Sequence, residues 1–399
     1  DAKQIFPQIT KNIADKTLLF PMWDYIVSPF LVANMRRIGI DARLMKSSEL
    51  IIKKSMAHNT GQCLPMNIIA QEFIEYIEEQ NLNPENTMLW ALDTKLSCNI
   101  RLYPEYIKSI LENYGKGLEK AHVYSGLITH LEISVSACYY AYFAYLIGGL
   151  IRMVGCKIRP YEVNKGDTHQ VIKETIVILE EAFLGKKSMD KAVSEVIRLF
   201  DKIPRWEGNK PKVALFGDFY VCDNDVMNQD LNRSIEEAGG EVITTPYTDY
   251  IKMSLENVIR RTFGRGEYLR GTQQRLISSG LKILEDKYYR YFEKFLGPEK
   301  VINPKKLEKH LAKFNINPYN SGESYDNILK IFYILENYPD VTLFLQTNPA
   351  FCCPSLVTEA MTNEIKHMTG VPIVTLTYDG TNDYKNDVII PYLQGKNIV

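Results

Sequence analysis

An alternation constrains this chain more than any other feature. Short apolar runs of strand length are followed, repeatedly, by amphipathic helical stretches, the pattern of a parallel sheet covered by helices on both faces. The run "TLLFPMWDYIV" (17–27) reads as a strand and loop, and "SPFLVANMRRIG" (28–39) as a helix with Ser28 as cap, Pro29 in the first turn and Gly39 as stop. Strand "IDARLM" (40–45), helix 64–80, strand "TMLWALD" (87–93), helix 104–115 and strand "AHVYSGLI" (121–128) follow in order. A polar helical run covers about 168–201.

The pattern then restarts. "KIPRWEGNKPK" (202–212) is the best linker, with two prolines, a glycine and dense charge. Beyond it, "VALFGDFYVC" (213–222) echoes "LLFPMWDYIV" (18–27), and "SIEEAGGEVITTP" (234–246) echoes "NMRRIGIDARLM" (34–45). The expected fold class is therefore α/β, with two related Rossmann-like lobes whose parallel sheets are flanked by helices, plus helical insertions. The expected divisions are 1–130 for the first lobe, 131–211 for a helical connecting segment and linker, and 212–399 for the second lobe with an insertion at about 248–340. The second lobe ends with strand "VTLFLQ" (341–346), a cysteine loop, a helix, strand "PIVTLTYD" (372–379) and a last helix.

Length agrees, since 399 residues exceed what one small core organises. With 45% hydrophobic and 24% charged residues the chain has an ordinary globular composition, and a net charge of −1 without a basic block argues against nucleic acid or an anionic membrane surface. "SVSACYYAYFAYLIGGLIRMVG" (134–155) has the length of a membrane span, but as one Tyr-rich stretch in an α/β chain it reads as a buried central helix. The chain starts at Asp1 without Met and without a signal-peptide pattern, which reads as a trimmed or truncated terminus, while reduced cysteines point to a cytoplasmic setting.

Seven cysteines remain: Cys63, Cys98, Cys138, Cys156, Cys222, Cys352 and Cys353. An odd number in a large chain argues against a disulfide framework, and neighbours such as Cys352 and Cys353 pair badly with each other. Cys63, Cys98, Cys352 and Cys353 each precede a helix, and Cys222 follows a strand. Those are the strand ends and helix starts where open parallel sheets bind ligands, and where helix N-termini lower thiol pKa. A buried thiol can equally act as a small hydrophobe, the plain reading for Cys138 inside its apolar run. The close C-x-x-C pairs of structural zinc are missing, and thiolates converging from distant loops fit an iron–sulfur cluster better. The six histidines form no ligand spacing, and only His58 lies near a candidate site. Tyr378 and Asp379 in "TYDGTND" (377–383), and Glu359 past the cysteine pair, are candidate catalytic groups near a metal, although a polar strand-to-helix turn explains the first two as well. Asp223 and Asp225 flank Cys222 and can also serve as caps. "RRTFGRGEY" (260–268) reads as a helix break rather than a phosphate loop, for want of a preceding strand and a third glycine.

"NPAFCCPSLVTEAM", "GVPIVTLTYDGTNDYKNDVIIPYL", "GDFYVCDNDVMNQDL", "GQCLP" and "SCNIRLYPEYIKSIL" resemble the 2-hydroxyacyl-CoA dehydratase iron–sulfur component family over most of the chain. The resemblance implies two facing lobes, an oxygen-sensitive cluster between them, a homodimer, anaerobic life, and a separate ATP-hydrolysing iron–sulfur activator that delivers low-potential electrons. Within the family the likeness favours the double-cubane branch, whose eight irons and nine sulfides include a bridging sulfide. Three thiolates per cubane then make six ligands, assigned to Cys63, Cys98, Cys138, Cys222, Cys352 and Cys353, with Cys156 as an alternative to Cys138. The expected activity is an ATP-dependent reductase component acting on a small molecule. The alternative is a 2-hydroxyacyl-CoA dehydratase subunit, which holds a four-iron, four-sulfur cubane on three cysteines and eliminates water through a ketyl radical. An electron carrier without catalysis is the third reading.

Overall fold

The computed structural model describes residues 13–93, 98–300, 304–317, 322–381 and 383–394, so both chain ends and part of the loop before Cys98 lie outside the described residues. It contains two four-stranded sheets, and every strand pair in them is parallel. The first holds β1 (Thr17–Phe20), β2 (Ala42–Leu44), β3 (Thr87–Asp93) and β4 (His122–Leu127) in the order β2-β1-β3-β4. The second holds β5 (Lys212–Gly217), β6 (Glu241–Ile243), β7 (Val341–Pro349) and β8 (Ile373–Tyr378) in the order β6-β5-β7-β8. The two orders are the same when each lobe is counted from its own first strand, so the echo between residues 18–45 and 213–246 reflects one topology used twice. β1, β3, β5 and β7 are almost wholly buried apolar runs, as strands covered on both faces must be.

The polar run at 168–201 resolves into two helices, Asp167–Phe183 and Met189–Asp201. The insertion in the second lobe is helical, comprising Tyr247–Gly264, Tyr268–Leu296, Pro304–Lys313 and Glu323–Asn337. Its break at Gly264–Glu267 is the "RRTFGRGEY" stretch, with Gly266 at φ +78°. Two expectations shift in detail. The helix Val27–Arg37 takes its N-terminal support from Asp24, whose Oδ1 accepts from the N–H groups of Ile26 and Val27, and not from Ser28, which lies inside the helix. Cys222, expected to follow a strand, stands beyond the end of β5 at Gly217, with a turn between them.

The long apolar stretch is the helix Val135–Ile158, long and apolar enough to cross a bilayer, but with its central residues buried inside the protein. It packs against the helices Val27–Arg37, Tyr247–Gly264 and Tyr268–Leu296, and so belongs to both halves of the molecule. Gly149 is required there, because a Cβ would meet Pro246 Cβ at 2.2 Å. A second apolar cluster runs continuously from Leu19, Phe73 and Leu89 of the first lobe to Val213, Tyr220 and Leu345 of the second. The two lobes therefore share core, and burial of this kind stabilises by about 25 cal/mol per Å² of apolar surface.

Candidate metal centre

In an open parallel sheet, ligands bind beyond the carboxyl ends of the strands, where successive connections leave in opposite directions. Here that point lies between β1 and β3 in one lobe and between β5 and β7 in the other. The loops after β3, β5 and β7 carry Cys98, Asp218 and the pair Cys352–Cys353.

Each side chain is positioned by local geometry. β5 ends at Gly217 with φ +124°, and a Cβ there would sit 2.4 Å from Thr347 O, so only glycine lets the chain cross β7 so closely. Asp218 follows, its N–H bonded to Thr347 O at 2.7 Å. Its Oδ1 accepts from the N–H groups of Tyr220 and Val221, both at 2.9 Å, and Oδ2 lies 3.8 Å from Cys352 Sγ. Beyond β7, Phe351 adopts the left-handed conformation at φ +65° and turns the chain into the helix Cys353–Ala360. Cys352 occupies the residue before that helix, and Ser355 Oγ donates to its Sγ at 3.1 Å. Glu323 opens the helix Glu323–Asn337, with Oε1 accepting from Phe219 N at 2.9 Å and Oε2 3.5 Å from Cys98 Sγ. Cys63 stands before the helix Leu64–Glu79, its Sγ 3.4 Å from Tyr103 Oη.

Two bonds close the site across the lobes. Leu64 N donates to Ala350 O at 3.3 Å, and Asn99 Nδ2 donates to Cys353 Sγ at 3.5 Å. Cys63, Cys98, Cys352 and Cys353 thus gather around Asp218 and Glu323, with Cys353 exposed, Cys98 half-buried and the other two buried. Donor atoms of Asp218, Glu323 and Cys352 lie within 4.8 Å of one another, a buried group able to hold a metal ion.

The electrostatics agree. Burial pushes the Cys63, Cys98 and Cys352 thiols well above their usual range, and the charged groups acting most strongly on all three are Asp218 and Glu323. Burial likewise raises both carboxyls, and for Glu323 the neighbouring Asp218 adds to it. Helix starts were expected to lower the thiol pKa values. At Cys63 and Cys352 burial raises the thiols instead, despite their places before helices.

Of the other expected residues, Cys222 is buried in the turn after β5, where its N–H donates to Asp218 O at 3.1 Å and its Sγ pairs with Thr347 Oγ1 at 2.9 Å, its thiol pushed up to about 12 by burial. The rest make their contacts elsewhere. Cys138 stands half-buried near the start of the helix Val135–Ile158, where Glu132 is its charged neighbour. Cys156 is buried in the shared core, 3.8 Å from Arg159 Nη2. Tyr378 is buried and donates from Oη to Asn386 Oδ1 at 2.8 Å, while its backbone oxygen accepts from Ala350 N at 2.8 Å and so braces the cysteine loop. Asp379 is held by Thr381 and by Lys385, 3.2 Å away, and Glu359 is exposed. His58 bonds through Nε2 to Gln71 Oε1 at 2.9 Å. Asp223 pairs with Arg152 at 3.1 Å.

A separate cavity of about 1090 Å³ is lined by Tyr25, Arg152, Arg159, Asp225, Glu236 and Tyr384 among others, and no cysteine borders it. Asp379 and Tyr378 are on its wall. Chemistry and volume therefore occupy different places, and the reactive groups are those around Asp218.

Sequence reasoning missed Asp218 and Glu323. For Asp218 a signal existed in "LFGDF", a glycine–aspartate pair closing a strand at the binding end of a sheet. For Glu323 none existed, since its partners Cys98 and Phe219 lie 225 and 104 residues away. Compared with known proteins, the sequence matches no family model and none of the curated proteins.

Proposed function

We propose that this chain is the iron–sulfur catalytic component of a two-component, ATP-dependent reductase. It receives electrons from a separate ATP-hydrolysing iron–sulfur activator and reduces a small molecule in the cleft between its lobes. The observation carrying this reading is the convergence of Cys63, Cys98, Cys352 and Cys353 from both lobes onto the buried carboxyls of Asp218 and Glu323. The donor set suits iron and sulfide, because thiolates are the usual ligands of such clusters and the local charge favours a cationic guest. A cluster held there supplies low-potential electrons one at a time.

The chain's own residues have definite work in this reading. Cys63, Cys98, Cys352 and Cys353 hold the metal. Tyr103 Oη, Ser355 Oγ and Asn99 Nδ2 place hydrogen bonds on the sulfurs of Cys63, Cys352 and Cys353, a means of setting potential. Tyr103 and Ser355 are also buried, which keeps water from these sulfurs. Electron delivery by the activator, a homodimeric assembly and a cytoplasmic, anaerobic setting belong to the same proposal.

A second reading is favoured by the positions of Cys138 and Cys222. A bridged double cubane on six thiolates needs Cys222 and either Cys138 or Cys156, whereas Cys222 pairs with Thr347 Oγ1 and Cys138 has Glu132 as its charged neighbour. Four gathered thiols are enough for a single four-iron cubane on three cysteines, and with it a 2-hydroxyacyl-CoA dehydratase subunit. Iron and acid-labile sulfide per polypeptide, on protein purified without oxygen, decide the matter. About eight irons with nine sulfides support the double cubane, about four of each the cubane, and neither element overturns both readings.

A further inference from the structure

We propose that Asp218 and Glu323 are metal ligands in their own right, oxygen donors that complete a coordination sphere the thiols leave open. The proposal rests on the thiol group being a metal centre, and its test does not require that metal to be an iron–sulfur cluster.

Both carboxylates are built alike. One oxygen is fixed by backbone N–H groups: Oδ1 of Asp218 by Tyr220 and Val221, Oε1 of Glu323 by Phe219. The second oxygen is aimed at sulfur, Oδ2 at Cys352 and Oε2 at Cys98, 3.8 and 3.5 Å away. This is the arrangement of ligating carboxylates, in which outer hydrogen bonds orient one oxygen and leave the other for the ion. The three consecutive backbone donors 219–221 come from one turn, so both carboxylates are set by the same piece of chain.

A purely capping role is the competing explanation. Capping uses the first oxygen, while the second accepts from a thiol, Cys352 for Asp218 and Cys98 for Glu323, a bond that ends when the thiol is deprotonated to bind a metal. Capping gives no reason for two acids where amides would cap as well. If the thiolates alone held the metal, each of these oxygens would stay buried without the proton it now accepts from sulfur. Ligation removes that deficit. On iron an oxygen donor is harder and more readily displaced than thiolate, so the positions held by Asp218 and Glu323 are where a substrate oxygen can exchange in.

The test uses the full chain, reduced and stripped of metal, then loaded with one equivalent of Zn²⁺ and measured by X-ray absorption fine structure. The expected result is a mixed shell, with sulfur at about 2.3 Å and oxygen at about 2.0–2.2 Å. Water also supplies oxygen, so two variants decide. Asp218→Asn and Glu323→Gln keep the backbone cap but lose the anionic donor. Each is expected to lower the oxygen count and to weaken Zn²⁺ binding at least tenfold, with circular dichroism unchanged. An all-sulfur shell in the natural protein, or an oxygen shell and affinity unchanged in both variants, overturns the proposal. Should Asp218→Asn fail to fold, Glu323→Gln alone decides. A mixed zinc shell in a protein that carries no iron or sulfide upholds the ligands and removes the iron–sulfur reading. Iron and sulfide together with an all-sulfur zinc shell do the reverse.

Discussion

Two places between the lobes bury charge, and they treat it in opposite ways. Beside the large cavity the buried arginines have carboxylate partners: Arg152 is joined to Asp24 and Asp223, and Arg159 to Glu236 at 2.6 Å. At the thiol group the strongest charged neighbours of the cysteines are carboxylates, which raise rather than relieve the cost of ionisation. In the first place the arginines are matched by the chain itself. In the second the acids and thiols have no cation among the described residues, and a metal ion would match them. A buried ion pair and an incomplete metal site therefore differ in which perturbation destroys them.

A first expected effect tests the matched side. Arg152→Met leaves Asp24 and Asp223 buried without their cation and should destabilise the protein by about 3–5 kcal/mol in urea titration. A loss below about 1 kcal/mol would erase the contrast. On the other side, Cys352→Ser and Cys353→Ser should leave the metal-free protein about as stable as before, within about 1 kcal/mol, while metal content drops sharply. Retention of full metal content in both removes them as ligands.

A pH titration sharpens the comparison further. Burial pushes Glu72 up to about 8 from an ordinary value of 4.5, and Asp218 and Glu323 shift in the same direction. A raised carboxyl gives stability that is fully present below its unfolded pKa and is lost as pH rises through the folded one. The metal-free protein should thus lose stability between about pH 4.5 and 8, by on the order of 5 kcal/mol for Glu72, and Glu72→Gln should remove that share. Metal loading should flatten the Asp218 and Glu323 share and leave that of Glu72. Thermal melts at several pH values read this directly. The smallest effect is expected from Tyr103→Phe, which removes a hydrogen bond to Cys63 Sγ worth about 0.5–1.5 kcal/mol and should alter the redox midpoint or the metal-to-sulfur absorption without changing metal content.

Much of the fold was legible because its signals are local. β3 at Thr87–Asp93 follows from seven strand-forming residues between turn formers, and the repeated strand order follows from an echo between residues 18–45 and 213–246. The convergence of Cys63, Cys98, Cys352 and Cys353 was legible for a related reason, since strand ends and helix starts can be placed by pattern and the parallel topology then brings them together. Cys222 shows the limit of that logic. It was expected to follow a strand, but β5 ends at Gly217 and the turn between them carries the thiol back onto Thr347. Glu323 shows a different limit. It reaches the site only because a helix after a long insertion packs beside β5, and no period in the sequence encodes that meeting.

The bonds from Leu64 to Ala350 and from Asn99 to Cys353 tie chain segments that belong to different halves, and the thiols are drawn two from each half. A guest held by all four becomes the rivet of a hinge: parting the halves stretches every bond to it together, so its grip adds to the closing force on the molecule. Removing it should leave the halves freer to part, and backbone amides around residues 64 and 350 should then exchange with solvent faster while those in the middle of each sheet keep their protection.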